Sequence, residues 1–68
     1  MGNELLQLLV TIRKVLNTPY ITLNDDAYFV FDAREAFEEI KSGGNNLQPE
    51  DFYSAYTSEK IYYIAKVN

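Results

Sequence analysis

Residues 27–44, AYFVFDAREAFEEIKSGG, decide the fold, because a run typical of a β-strand passes directly into a run typical of an α-helix. The first five residues are mostly aromatic or β-branched, and both of their alternating faces are apolar. A strand that is apolar on both faces is typical of the middle of a sheet, or of a sheet covered on both sides. We therefore expect residues 27–31 to form a central strand.

The second half of this stretch predicts a short helix over residues 33–41. Asp32 can accept a hydrogen bond from the backbone N–H three residues on while Glu35 reaches back, which is a capping box. Gly43 can take the left-handed conformation that ends a helix. The apolar side of the helix is expected to be buried, and it consists of Ala33, Ala36, Phe37 and Ile40.

Upstream, residues 4–16, ELLQLLVTIRKVL, predict a longer helix that ends before Pro19. Leu6 and Val10 widen its apolar stripe beyond what a surface helix needs, so we expect this helix to be deeply covered or shared with a second subunit. The main stripe comprises Leu5, Leu8, Leu9, Ile12, Val15 and Leu16.

Residues 20–23 and 27–31 read as a hairpin joined by a three-residue connection, with Asn24 or Asp26 in the left-handed conformation. Residues 49–56, PEDFYSAY, begin with proline and two acids, which predicts a second short helix. Residues 60–67 alternate as a strand does, and we expect them to pair beside the central strand.

The predicted order is therefore α-β-β-α-α-β. It indicates one small α+β domain over residues 1–68, with a three-stranded, mostly antiparallel sheet and the helices packed on one face.

The chain contains no cysteine and no histidine. The first absence excludes disulfides, Cys-ligated zinc and thiol nucleophiles, and the second excludes imidazole bases and the commonest zinc ligand. The serines have no histidine to activate them, and no glycine-rich phosphate loop is present. We therefore expect no enzymatic activity and no cofactor.

The carboxylates of the second helix allow several interpretations. Glu35 and Glu39 lie four apart with Glu38 beside them, which could form a divalent-cation site, but the segment lacks the residue order of an EF-hand loop. A carboxylate pair for glycoside cleavage would need a buried acid and a cleft. We expect no metal site, and the acids serve either solvation or a partner.

Charge is uneven along the chain, whose net charge is −4. Residues 25–51 carry eight acids against Arg34 and Lys41, a balance of −6. Proteins that bind phosphate backbones need a basic surface, so we expect no direct contact with nucleic acid. A helix-turn-helix regulator is a third hypothesis, but its recognition helix over residues 49–56 would bring two acids and no base-reading side chain.

These features predict a small acidic protein-binding module, with tyrosines as anchors and a basic surface of another protein as its target. The small acidic format resembles that of proteins by which phages and other mobile elements block a host nucleic-acid-binding protein, so an inhibitor or decoy is the concrete form of this hypothesis. The predicted partner-binding residues are Asp25, Asp26, Glu35, Glu38, Glu39, Glu50, Asp51, Tyr53 and Tyr56.

The alternative is a structural or self-assembling domain that dimerises through Leu5, Leu9, Ile12 and Leu16 of the first helix. The N-terminus lacks the basic segment of a signal peptide, and no apolar run approaches the ~20 residues of a membrane-spanning helix. We therefore expect a cytoplasmic protein with no membrane contact.

Overall fold

The computed structural model describes the backbone of residues 2–67 and the side chains of residues 4–67. Two helices and four antiparallel strands form an α+β fold, in which the strand order across the sheet is β1-β2-β4-β3. In chain order the elements are α1 (Gly2–Leu16), β1 (Tyr20–Leu23), β2 (Asp26–Asp32), α2 (Ala33–Ser42), a 3-10 turn (Pro49–Asp51), β3 (Tyr53–Tyr56) and β4 (Ile61–Val67).

The β1–β2 hairpin has a two-residue turn rather than the predicted three-residue connection. Leu23 pairs with Asp26, and the two residues between them, Asn24 and Asp25, have φ of 53° and 68°. Positive φ at both central positions is the mark of a type I′ turn, whose twist matches that of the flanking strands. Asp26 is therefore the first residue of β2.

The prediction that β2 is central and pairs with the C-terminal strand is confirmed. β2 lies between β1 and β4, and the β2–β4 register runs from Ala27 opposite Val67 to Asp32 opposite Tyr62. These two seven-residue strands are the longest in the sheet.

The prediction of a helix over residues 49–56 and of a three-stranded sheet is wrong. Only Pro49–Asp51 form a 3-10 turn, Phe52 is extended with φ −98° and ψ 139°, and Tyr53–Tyr56 form a fourth strand. This strand pairs with β4, from Tyr53 opposite Ile64 to Tyr56 opposite Ile61. Pairing with β4 outweighs the helix-start signals in this segment. The second helix of a helix-turn-helix is thus replaced by a strand.

Helix α1 covers one face of the sheet. Leu9 is fully buried and Val10 nearly so, and both belong to a cluster with side chains from all four strands. The alternation of side chains along a strand places this cluster on a single sheet face. Its strand members are Ile21, Tyr28, Val30, Ala55, Tyr62 and Ile64.

Helix α2 covers the opposite face, so the prediction that the helices share one face is wrong. Tyr63 follows the buried Tyr62 and faces the other way. Ala36 and Ile40 of α2 line one small cavity together with Phe52 and Tyr63. Two covers are needed because β2 is apolar on both faces.

Four aromatic contacts fill this second face, and the first joins Tyr20 of β1 to Phe29 of β2, with ring centroids 5.6 Å apart. The ring centroids of Phe29 and Phe31 are 5.3 Å apart, those of Phe31 and Phe52 are 6.1 Å apart, and those of Phe52 and Tyr63 are 6.4 Å apart. The segment after α2 therefore returns to the sheet through Phe52, whose ring lies against both central strands.

The predicted ends of α2 are confirmed. The backbone N–H of Glu35 donates to Asp32 Oδ1 at 2.8 Å, and the N–H of Asp32 donates to Glu35 Oε1 at 3.0 Å. Gly43 has φ 70° and donates its N–H to the Glu39 carbonyl. The prediction that Phe37 is buried is wrong. Its ring is exposed, and the Lys41 ammonium lies 6.0 Å from the ring centroid.

Ala33 is exposed as well, although it and Phe37 line the same cavity as Ala36 and Ile40, beside Phe52 and Tyr63 of the sheet side. Within residues 2–67, neither helix has the length and hydrophobicity that crossing a membrane requires.

Candidate functional site

The strand register separates the predicted acidic residues into two ends of the sheet. β2 begins at Asp26 beside the last residues of β4 and ends at Asp32 beside its first residues. Asp25 therefore lies at the first end, whereas Glu35 follows Asp32 at the second. The nine predicted partner-binding residues do not form one continuous strip.

Glu50 and Asp51 join the acids of the hairpin turn at the first end. They line an open crevice of about 500 Å³ together with Tyr53 and Lys66. The Lys66 ammonium is 3.5 Å from Asp26 Oδ1, which ties the crevice to the β1–β2 turn. We call this surface the acidic end, and it consists of Asp25, Asp26, Glu50, Asp51 and Tyr53.

Charge at the acidic end is only partly balanced, since the Lys66 ammonium pairs with Asp26 while Glu50 and Asp51 share its crevice. Asp25, Glu50 and Asp51 are exposed, so their charge reaches solvent. Asp51 also accepts a hydrogen bond from the Gln48 backbone N–H at 2.8 Å, which fixes its carboxylate at the start of the 3-10 turn. In the part of the chain that the structure describes, Asp25 and Glu50 take part in no ion pair.

The crevice beside these acids offers contacts of several kinds. Its wall combines side-chain amides with apolar side chains, and Tyr53, 68% exposed, lies at its rim. Carboxylates accept charge-assisted hydrogen bonds from lysine and arginine, and a tyrosine face attracts a cation within about 6 Å. The remaining lining residues are Phe29, Asn45, Asn46, Leu47 and Val67.

The two predicted tyrosines do not share one surface. A helix over residues 49–56 would have placed Tyr53 and Tyr56 on the same side, but three residues along a strand place them on opposite faces. Tyr56 is exposed opposite Ile61, at the other end of β3 from the crevice. Its carbonyl accepts a hydrogen bond from Gln7 Nε2 at 3.5 Å.

Glu35 joins the two helices. Its carboxylate accepts hydrogen bonds from Arg13 Nη2 at 2.7 and 2.6 Å, and Arg13 is buried on the side of α1 that faces the sheet. Arg13 also donates to Asn17 Oδ1 at 3.4 Å, and its Nε has no hydrogen-bond partner among the residues that the structure describes. The contacts of Glu35 are therefore those of a residue that holds the fold together.

Opposite charges balance at this second end of the sheet. Lys60 Nζ is 3.9 Å from Asp32 Oδ2, so two cations accompany the carboxylates of Asp32 and Glu35. The unbalanced charge of the acidic end is therefore a local property.

The two remaining predicted acids lie on α2, outside the acidic end. The Glu39 carboxylate accepts a hydrogen bond from the Asn45 side-chain amide, which fastens the loop after α2. Glu38 is exposed. Among residues 2–67 no group of three or more acids is arranged to hold a metal ion.

The proposed dimer seam on α1 also needs a correction. Leu9 is 0% exposed against the sheet and is unable to contact a second subunit. The accessible apolar side chains lie on an adjacent side of the helix, where Ile12 is half-buried and the others are exposed. We call this set the α1 outer stripe, and it consists of Leu5, Leu8, Ile12, Val15 and Leu16.

Sequence reasoning missed two residues that shape these surfaces. Lys66 lies at the acidic end only because β4 places it beside Asp26, and no local pattern indicates this. Arg13 carried a signal, because it follows Leu9 by four and Val10 by three residues and so continues the buried side of α1. No known protein family, curated protein or solved structure matches this chain.

Proposed function

We propose that the protein is a small, non-enzymatic, cytoplasmic binding module whose acidic end docks on a basic surface of another protein. The observation that carries this proposal is the combination of two exposed carboxylates, those of Glu50 and Asp51, with the exposed Tyr53 in the wall of one crevice. The carboxylates supply charge and Tyr53 supplies a large apolar contact, which is the pairing that protein interfaces favour.

Charge and aromatic contact act on different steps of binding. An unbalanced group of acids attracts a basic partner over about 8 Å at physiological ionic strength and raises the association rate. When the partner covers Tyr53, apolar surface of the ring is removed from water. This burial stabilises the complex and slows its dissociation. The crevice beside Tyr53 accommodates a lysine or arginine side chain of the partner.

The concrete form of the proposal is an inhibitor or decoy that occupies a surface otherwise used for nucleic acid. Such surfaces present lysine and arginine to phosphates. Carboxylates accept the same charge-assisted hydrogen bonds as phosphate oxygens do, so the acidic end can compete for these cations.

A charge-neutral variant tests this proposal. The pair Asp25→Asn/Glu50→Gln removes two charges from the acidic end without changing shape, and asparagine tolerates the positive φ of position 25. Immobilised protein is exposed to lysate of the source cells, and the bound proteins are identified by mass spectrometry. Wild type is expected to retain nucleic-acid-binding proteins that the variant loses, and added duplex DNA should displace them.

The matched control is Glu38→Gln/Glu59→Gln, which removes the same charge from exposed positions outside the acidic end. It is expected to retain the wild-type partners. The proposal is contradicted if the acidic-end variant recovers the same proteins as wild type. It is also contradicted if both variants lose them equally, since net charge alone would then explain binding.

A further inference from the structure

A second cavity adjoins the acidic end, and its walls are mainly apolar. Its volume is about 280 Å³, and it lies between α1 and the sheet. Leu5, Leu6 and Leu9 of α1 line one side, and Tyr28 and Ile64 of the two central strands line the other. We call this cavity the α1 cleft. Leu5 is exposed and Leu6 is half-buried, so apolar surface of the cleft is accessible to a ligand.

The α1 cleft and the crevice of the acidic end share part of their walls. Tyr53 and Lys66 line both cavities. The Lys66 ammonium lies 3.5 Å from Asp26 Oδ1, so its charge is offset at this boundary. Lysine commonly packs its aliphatic stem along apolar surface while its ammonium stays in water, which suits a position between an apolar and an acidic cavity. One ligand can therefore contact both cavities at once, across the Tyr53 ring.

The two cavities select different chemical groups. Glu50 and Asp51 line the crevice, where their carboxylates favour a cation that donates charge-assisted hydrogen bonds. The leucines of the α1 cleft favour a large apolar group, which gains free energy by leaving water. A ligand that fills both cavities therefore carries a positive charge close to a large apolar group.

The size of the α1 cleft favours a protein side chain over a free small molecule. Small-molecule sites typically measure roughly 300–1,000 Å³ and bury most of their ligand. At about 280 Å³, the α1 cleft lies below this range. Single large side chains that fill pockets are the usual anchors of protein–protein contacts.

We propose that the acidic end and the α1 cleft together bind a segment of a partner protein in which a lysine or arginine lies within about four residues of a large apolar residue. The basic side chain enters the crevice and the apolar side chain enters the α1 cleft. An extended chain advances about 3.3 Å per residue, so this spacing is long enough to pass over the Tyr53 side chain. The inference rests on the proposed function, because it specifies which kind of basic partner the acidic end binds.

Selection of short random peptides displayed on phage tests this motif. Wild-type protein is immobilised as bait and is expected to enrich peptides in which a basic residue lies close to a large apolar one. Leu5→Gln makes one wall of the α1 cleft polar, and it should enrich basic residues without the apolar preference. The matched control is Leu8→Gln, since Leu8 is exposed on α1 as Leu5 is, at 47% and 39%, but lies outside the α1 cleft. It should enrich the wild-type motif.

A double-mutant cycle then tests whether the apolar residue of the peptide occupies the α1 cleft. The most enriched peptide is synthesised with its apolar residue intact and with that residue replaced by alanine, and the Kd is measured by fluorescence anisotropy. Alanine should weaken binding to wild type about tenfold, the effect of losing one buried anchor, but should have little effect on binding to Leu5→Gln. Circular dichroism spectra that match wild type show that the variants are folded.

The outcomes separate this inference from the proposed function. Enrichment of basic residues alone, or an equal alanine effect in wild type and Leu5→Gln, overturns the role of the α1 cleft but agrees with docking of the acidic end. Enrichment of apolar residues alone, with Glu50→Gln binding the peptide as wild type does, overturns both. Failure to enrich any peptide overturns the inference, because a short segment is then not what the site binds, whereas the proposed function is decided separately by capture from lysate.

Discussion

The ion pair between Arg13 and Glu35 gives the sharpest test of how the two helices are held together. Glu35→Ala removes the acceptor of both guanidinium hydrogen bonds, at 2.6 and 2.7 Å, and also the acceptor of the Asp32 backbone N–H. Arg13 then stays buried with a single weak partner, Asn17. We expect this substitution to be strongly destabilising.

The magnitude follows from burial. Breaking a fully buried ion pair costs about 3–5 kcal/mol because it leaves an uncompensated charge. The Arg13 side chain is 9% exposed but that of Glu35 is 37% exposed, so water can replace part of the lost contact. We therefore expect the free energy of unfolding to fall by about 3 kcal/mol, near the low end of that range. A chain of this length has roughly 3–10 kcal/mol in total, so the loss is large.

Urea denaturation followed by circular dichroism measures this effect. With a slope of about 1 kcal/mol per molar, typical of small proteins, the midpoint should fall by about 3 M. The matched control is Glu38→Ala on the same helix, which should change the free energy of unfolding by less than about 0.5 kcal/mol. A loss of that small size in Glu35→Ala would refute the reasoning. Arg13→Met/Glu35→Ala should recover part of the loss, since the orphaned charge is gone.

Two further substitutions probe the core and the end of α2. Leu9→Ala opens a cavity at a fully buried position and should lower the free energy of unfolding by about 2–5 kcal/mol in urea titration, whereas Leu8→Ala should be nearly neutral. In the described part of the chain, a Cβ added at Gly43 has no atom within 4 Å, so the cost of Gly43→Ala, roughly 1 kcal/mol, comes only from the positive φ of 70°. Thermal unfolding should show a midpoint lower by about 4–8 °C, and an unchanged midpoint would mean that the left-handed conformation carries no cost.

The parts of the fold that sequence could predict are those set by short-range chemistry. Helix α2 begins at a capping box and ends at a left-handed glycine, and both signals lie within three residues of the helix they control. The central position of β2 could also be predicted from local sequence, because the residues of the strand itself are apolar on both faces.

Strand β3 could not be predicted because its partner lies elsewhere in the chain. The proline and acids of residues 49–51 indicate a helix start, but the following residues gain more by pairing with β4. This one error also placed Tyr53 and Tyr56 on a common surface. A wrong element type changes the side-chain period from 3.6 to 2, and so changes which residues share a face.

The candidate site was predictable in its residue types but not in its grouping. Asp25 and Glu50 are far apart in sequence, and only the strand register brings them to one end of the sheet. The sequence of α2 predicts an outward Glu35, because the apolar stripe of this helix is formed by Ala33, Ala36, Phe37 and Ile40. In the structure the Arg13 side chain is buried, and Glu35 forms an ion pair with it.

Docking of the acidic end should depend on salt in its association rate more than in its dissociation rate. Added salt screens the attraction between the exposed carboxylates and a basic partner, so the association rate should fall. The ring of Tyr53, which is 68% exposed in the free protein, makes an apolar contact, so the dissociation rate should change less. Association that is as fast at high salt as at low salt would mean that charge does not guide docking.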